Sequence, residues 1–106
     1  MIGRIRRGAT RLEDAQEYAE YMRNTGLAEY RATPGNRGAW MLWREVGERA
    51  EFLALSFWNS EDAIRSFAGD DISRAVYYPE DDRFLIDRTD EVEHYHLESI
   101  EAPSPQ

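Results

Sequence analysis

Both histidines of the chain lie in one short stretch near its C-terminal end. Residues 93–98 read EHYHLE, with His94 and His96 one residue apart. On an extended strand two such residues point to the same face, about 7 Å apart at the ~3.3 Å rise per residue. The spacing admits three interpretations: a metal held between the imidazoles, general acid or base work by one histidine, or two hydrogen-bonded side chains at a sheet face or subunit contact.

A compact metal site needs a third ligand, and this stretch does not supply one. Glu98 lies four residues from His94, too far along a strand to close a coordination shell. No other cluster of His, Asp and Glu with ligand spacing is visible in the sequence. We therefore predict neither a metal nor any other cofactor, and we prefer His94 as a catalytic base.

A second chemical pair lies at the opposite end of the chain. Arg4 and Arg6 share one face of a strand predicted over residues 1–8. A buried guanidinium needs a partner, and Glu93, Glu98 or an anionic group of a ligand can supply it. The alternative is a structural role, because long arginine side chains also reach the water at a sheet edge.

The remaining candidates are aromatic, and aromatic residues belong more often to cores and interfaces than to ligand sites. The functional interpretation is an apolar pocket between helices and sheet, with Trp58 as its floor and the Tyr77–Tyr78–Pro79 segment as its gate. The candidate catalytic residues are His94, Trp58 and Tyr77, and the candidate substrate-binding residues are Arg4, Trp40, Phe57, Tyr78 and His96.

The first elements that must position these residues are the strand over 1–8 and a helix. Thr10 to Glu13 has the form of a capping box, which predicts a helix start. The apolar stripe of that helix is Leu12, Ala15, Ala19 and Met22, and Gly26 is expected to end it.

The second half of the pattern contains a hairpin, a helix and a last strand. Strands over 38–46 and 49–58 are joined by a turn at Gly47-Glu48. Asn59 and Ser60 are candidate caps for a second helix that Gly69 ends, after which residues 70–78 are predicted to continue helically. A further helical turn is predicted over 79–87 and a last strand over 91–100.

This order of elements predicts an α+β fold of the ferredoxin-like βαββαβ type with a four-stranded antiparallel sheet. We expect a single domain over residues 1–100 and a disordered tail over 101–106.

The hairpin strands are apolar on both faces. On the second strand Trp40 and Leu42 oppose Ala39, Met41 and Trp43. Helices can cover only one face, and a monomer rarely exposes so large an apolar patch. We therefore predict a homodimer, with sheet packed on sheet across a two-fold axis and an interface of about 2,000 Å² or more.

Composition excludes several classes of function. The chain has 13 basic and 21 acidic residues and a net charge of −8, which disfavours nucleic acid and anionic membranes as partners. It contains no cysteine, no apolar run long enough to span a membrane, no glycine-rich phosphate loop and no nucleophile motif. The expected location is the cytoplasm.

Three stretches carry a family resemblance: PGNRG before the second strand, LSFWNSEDAIRSFAGDDISRAVYYPEDDRFL, and VEHYHLE. Together they resemble the antibiotic biosynthesis monooxygenase-like proteins. The resemblance implies a dimeric α/β barrel, made of two ferredoxin-like halves packed sheet to sheet. Relatives include cofactor-independent oxygenases of aromatic polyketides, haem-degrading enzymes, isomerases and proteins of unknown role.

The residue matches favour the oxygenases over the haem degraders. Trp58 matches the tryptophan that both groups place in their pockets. The haem degraders also use an asparagine on the first strand and a histidine on the second helix, and this chain has neither. Asn59 follows Trp58, but it would point to the other face and is better placed as a helix cap.

The leading hypothesis is a homodimer that binds a small aromatic or apolar molecule and oxidises it as a cofactor-independent monooxygenase. His94 would be the base, Trp58 would position the substrate, and Tyr77 and Arg4 would stabilise oxyanion charge. The alternative is a non-catalytic ligand-binding or stress-response dimer. A haem or metal protein is the third reading.

Overall fold

The computed structural model describes residues 1–98, which form one antiparallel sheet and the helices that pack on it. The strands are β1 Ile2–Arg11, β2 Asn36–Val46, β3 Arg49–Trp58, β4 Leu85–Arg88 and β5 Glu93–His96. The helices are α1 Ala15–Asn24, α2 Gly26–Ala32, α3 Glu61–Ala68 and α4 Asp81–Phe84, and a 3-10 turn spans Leu12–Asp14. The end of the predicted last strand, 99–100, and the predicted tail, 101–106, lie outside the described residues.

Strands β2 and β3 form the predicted hairpin. Its turn contains Gly47 at φ 62°, in the left-handed region that favours glycine. Pairing runs from Val46 opposite Arg49 to Asn36 opposite Trp58. The hairpin therefore spans the full length of the sheet.

Strand β1 lies at the centre of the sheet, next to β3. On its other side β5 pairs with residues 2–5 and β4 pairs with residues 8–10, both antiparallel. The two short strands thus share one strand position at the edge of the sheet, which we call the edge lane and which is interrupted at residues 89–92. With that lane counted once, the order is the ferredoxin-like one, and the predicted α+β fold class is confirmed.

Residues 69–80, which we call the strap, contain no helix, so the helical continuation predicted over 70–78 is wrong. Gly69 ends α3 with φ 88°, and the Asp71 carboxylate accepts from the Ser73 N–H, forming a local turn in place of a helical one. The backbone then pairs with the interruption of the edge lane, with Ala75 N–H donating to the Asp90 carbonyl at 2.8 Å. These long-range bonds fix the strap as irregular chain.

The helix starts were predicted with mixed success. Ser60 caps α3 as expected, its Oγ accepting from the Ala63 N–H at 3.2 Å. The Thr10 capping box was wrong: β1 continues through Arg11, and the buried Thr10 hydroxyl donates to the Arg11 carbonyl. Gly26 does not end the first helix but begins α2, where the Met22 side chain packs closely against it.

The two faces of the sheet differ in what covers them. The inner face carries Arg4, Arg6, Ala54, Ser56 and Trp58, and the helices and the strap lie over it. The hydrophobic core fills this layer, and its buried members include Tyr18, Met22, Leu27, Tyr30, Phe52, Ile64 and Phe84.

The outer face is apolar and largely uncovered in the single chain, as the sequence predicted. Trp40 is 53% exposed and Leu42 is half exposed, and both pack beside partly buried Leu53, Leu55 and Phe57. The charges on this face are paired with each other: Arg7–Glu93 at 2.6 Å, Arg44–Glu51 at 2.9 Å and Arg49–Asp87 at 3.0 Å. No helix within residues 1–98 is long and apolar enough to cross a membrane.

Candidate functional site

His94 and His96 both lie on the inner face, at the end of β5. His94 pairs with Arg4 and His96 pairs with Ile2 across the β1–β5 register. The two histidines line a cavity of about 140 Å³, which the start of α3 and the strap complete. The lining residues are Ile2, Glu61, Ile72, His94, Tyr95 and His96.

His94 is electrostatically unusual. Its Nε2 atom is buried and has no hydrogen-bond partner within the described chain. Burial, and then the positive charge of Arg4, lower the pKa of His94 below its usual range, while Glu61 acts weakly in the opposite direction. The imidazole is therefore neutral at pH 7 and available as a proton acceptor.

Arg4 is the β1 neighbour of His94 but does not line the cavity, and only 1% of it is exposed. Its Nη2 donates to the Arg74 carbonyl of the strap at 2.9 Å, and its guanidinium carbon lies 5.6 Å from the centre of the Phe67 ring. Its Nε and Nη1 are buried without an acceptor. Glu93 pairs with Arg7 on the outer face, which excludes it from the three partners considered for the buried arginines.

Arg6 lies two residues further along the same face. It donates to the Tyr18 hydroxyl at 2.7 Å and to the Val76 carbonyl at 3.1 Å, and the Tyr77 ring lies over it at 4.7 Å. Burial raises the pKa of Tyr18 to about 12, so this hydroxyl stays neutral beside the arginine. Arg4 and Arg6 therefore each donate a hydrogen bond to a backbone carbonyl of the strap.

Asp81 is buried although it lies in the acidic run Glu80-Asp81-Asp82. Its side chain is fully buried, and one carboxylate oxygen accepts from the Tyr78 N–H at 2.6 Å while the other has no partner in the described chain. Burial raises the pKa of Asp81, and the nearby charge of Arg6 opposes that shift.

Trp58 is a core residue in this structure. It is fully buried, its indole N–H donates to the Ser56 hydroxyl at 2.9 Å, and its ring packs against Tyr30 and Phe67. The Phe67 ring packs near both Trp58 and Arg4. Trp58 thus supports the wall behind the site and does not line the cavity beside His94.

Tyr77 and Tyr78 belong to the strap but lie away from the histidines. The Tyr77 hydroxyl donates to the Thr89 carbonyl at 2.5 Å, and its ring lies between Arg6 and Arg88. The Tyr78 hydroxyl donates to Glu29 at 2.6 Å. Both tyrosines tie the strap to neighbouring elements.

Trp40 and Phe57 lie on the outer face, on the opposite side of the sheet from His94. Their rings pack edge to face, 5.7 Å apart. The outer face also holds a larger groove of about 560 Å³, with an apolar floor of Leu42 and Leu53 and a rim of ion-paired arginines. This groove belongs to the surface predicted to meet a second copy, so we do not assign it to the histidine site.

Sequence reasoning missed Glu61 and Ile72 as cavity residues. A signal for Glu61 was present, because an antiparallel β1–β3 pair brings the start of α3 close to the start of β1. Ile72 carried no such signal, since the strap was expected to be helical. Within residues 1–98, no three His, Asp or Glu side chains converge as a metal-ligand set.

Comparison with known proteins defines the fold. No protein-family model and no curated protein matches the sequence. A Bacillus cereus protein provisionally described as an antibiotic biosynthesis monooxygenase is similar over 99% of this chain and 98% of its own, with a TM-score of 0.68 and 17% identity. Rv0793 from Mycobacterium tuberculosis is similar over 97% and 98%, with a TM-score of 0.54 and 17% identity. The resemblance seen in the sequence is therefore confirmed for the fold.

Proposed function

We propose that this protein is a cytoplasmic homodimer that binds a single-ring phenol and oxygenates it without a cofactor. The observation that carries the proposal is the neutral imidazole of His94, whose buried Nε2 lacks a partner, beside a small cavity and the buried cation Arg4. The name of the Bacillus cereus protein that shares the fold supports the choice of reaction.

The size of the cavity narrows the substrate. A cavity of ~150 Å³ holds one benzene ring, and the cavity beside His94 has about 140 Å³. It is smaller than the ~300–1,000 Å³ of sites for larger ligands. One aromatic ring therefore fits better than the polyketide-like molecules that the resemblance implied.

The chemistry begins with the phenol hydroxyl. His94 accepts its proton, and the same positive field of Arg4 that disfavours an imidazolium favours the phenolate. The phenolate donates one electron to molecular oxygen, and the resulting phenoxyl radical and superoxide couple at the free para carbon. The protein contributes proton transfer, orientation and desolvation.

The remaining steps balance as one oxygen molecule per phenol. The peroxide takes the proton held by His94, and loss of the para C–H proton with cleavage of the O–O bond expels hydroxide, which combines with that proton as water. The sum is phenol plus O₂ giving para-quinone plus water. The phenol loses four electrons, and O₂ accepts them.

A second copy of the chain is the proposed occupant of the outer face. The apolar side chains Trp40, Leu42 and Leu55 need cover, and the charges of this face are already paired with each other although the whole chain carries −8. Two such faces can meet without unpaired charge, which suits a two-fold contact.

Oxygen uptake with 2-methoxyphenol, a phenol with a free para position, tests the reaction. Uptake above the protein-free rate, with one ¹⁸O atom from labelled O₂ in the quinone, is expected. His94→Ala should lower kcat/KM by ~10²–10⁴-fold, as for loss of a general base. Glu98→Ala, an exposed neighbour on the same segment, is the matched control and should keep the wild-type rate.

The competing function is ligand binding without turnover, which the same cavity favours. Saturable binding of 2-methoxyphenol with no oxygen uptake would establish that function and exclude the oxygenase. Equal uptake by wild type and His94→Ala would remove His94 from the mechanism.

A further inference from the structure

The buried arginines of β1 carry more positive charge than their surroundings neutralise. Within residues 1–98 no carboxylate lies within 4 Å of the guanidinium of Arg4 or Arg6. Asp81 is a buried acid that interacts electrostatically with Arg6, although its carboxylate is more than 4 Å from the guanidinium. Two buried cations and one buried anion leave an excess of at least one positive charge.

Arg4 has the larger deficit of the two. A guanidinium has five N–H donors, yet only Nη2 of Arg4 has an acceptor, the Arg74 carbonyl at 2.9 Å. Nε and Nη1 are buried without an acceptor at hydrogen-bonding geometry, although the neutral Tyr30 hydroxyl lies near enough to favour the charged guanidinium, and Nε2 of His94, the residue paired with Arg4 in the sheet, is also unpartnered. Three unpartnered nitrogen atoms therefore belong to two adjacent side chains.

A purely structural role explains this arrangement poorly. Holding the Arg74 carbonyl needs one neutral donor, whereas a buried unpaired charge is strongly unfavourable. Burial lowers the pKa of Arg4, yet a guanidinium stays charged at pH 7. A negatively charged group bound in the cavity beside His94 would offset this charge through space, because Arg4 is adjacent to His94 but does not itself line the cavity.

We infer that the ligand of this site is an organic monoanion, bound with its negative group toward Arg4 and His94 and its ring in the adjoining cavity. This inference rests on the site of the proposed function and specifies its ligand class. Glu61 on the rim of the cavity opposes a second negative charge, which favours a monoanion over a dianion. An aromatic carboxylate or a phenolate has the required chemistry.

Benzoate and benzamide are the probes, because they have nearly the same shape and differ in charge. Benzoate should raise the melting temperature of the wild-type protein saturably at constant ionic strength, and benzamide should not. Chloride at the same concentration controls for general salt effects. Equal responses to benzoate and benzamide would overturn the inference without any variant.

Variants at Arg4 locate the effect. Arg4→Met should weaken benzoate binding ~30-fold or more, and should leave the ligand-free melting temperature unchanged or higher because a buried unpaired charge is removed. Arg4→Lys keeps the charge and should keep the benzoate response, which covers the case in which Arg4→Met does not fold. Arg37→Met, at an exposed arginine, is the matched control. A wild-type benzoate response in Arg4→Met, or its loss in Arg4→Lys, would contradict the inference.

The experiments on binding and on turnover can refute the inferred ligand class and the proposed reaction independently of each other. Benzoate binding without oxygenation of 2-methoxyphenol would refute only the proposed reaction. Oxygenation with no preference for benzoate over benzamide would refute only the inferred charge selection.

Discussion

Replacing Trp40 by serine tests whether the outer face binds a second copy. Trp40 is 53% exposed in the single chain and lies over Gly38 and Phe57 on the outer face. A large aromatic side chain can bury ~150–250 Å², so covering the exposed half of this one removes about 100 Å² from water. At ~25 cal/mol per Å² this is about 2.5 kcal/mol per subunit. A two-fold contact contains the residue twice, which makes about 5 kcal/mol, or three to four orders of magnitude in the dimer dissociation constant.

Sedimentation equilibrium over nanomolar to micromolar concentrations measures that constant. Trp43→Ser is the matched control, because Trp43 is 40% exposed on the same strand but stacks on Phe52 at the inner face. Trp40→Ser should shift the protein to monomer while Trp43→Ser remains dimeric. A monomeric wild type, or equal weakening by both substitutions, would refute the assignment of this face.

Three further predictions concern single side chains. Because the folded-state pKa of His94 is lowered, the unfolded chain binds the proton more readily, so the free energy of unfolding should fall as pH drops below ~6.5. In urea titrations at pH 5 and pH 7, His94→Gln should reduce this dependence of the unfolding free energy on pH. An unchanged dependence would contradict the lowered pKa. Ser60→Ala removes the cap bond to the Ala63 N–H and should cost about 1 kcal/mol of stability, measured by the same titrations. Trp58→Ala should cost about 3–5 kcal/mol because Trp58 is core; a loss of activity with unchanged stability would instead assign Trp58 to the site.

Local signals in the sequence were sufficient for the hairpin and for α3. Gly47 between two apolar runs and Ser60 before a helical stripe act within a few residues of themselves, so tertiary structure had little to override. The apolar character of both sheet faces was readable for the same reason, since alternation along a strand is a local property.

The strap and the divided edge lane depend on distant contacts and could not be read locally. Residues 70–78 have a helical pattern, but the backbone around Ala75 pairs with Asp90, fifteen residues away. The burial of Asp81 inside an acidic run is likewise a tertiary outcome, set by its bond to the Tyr78 N–H.

Glu93, one of the three partners considered for the buried arginines, could have been excluded from the sequence. Glu93 immediately precedes His94, so the period of two along a strand places it on the opposite face from His94 and Arg4. Glu93 accordingly bonds Arg7. The same alternation predicts that His94 and His96 share one face, and only the β1–β5 register places His94 beside Arg4.

Binding of the ligand beside His94 is tested most directly by following the ¹⁵N resonance of His94 Nε2 during titration with 2-methoxyphenol. We predict a saturable shift of this resonance, with the indole ¹⁵N of Trp40 on the outer face unchanged. Saturable shifts at Trp40 with none at His94 would contradict the account, because they would place the ligand on the opposite side of the sheet.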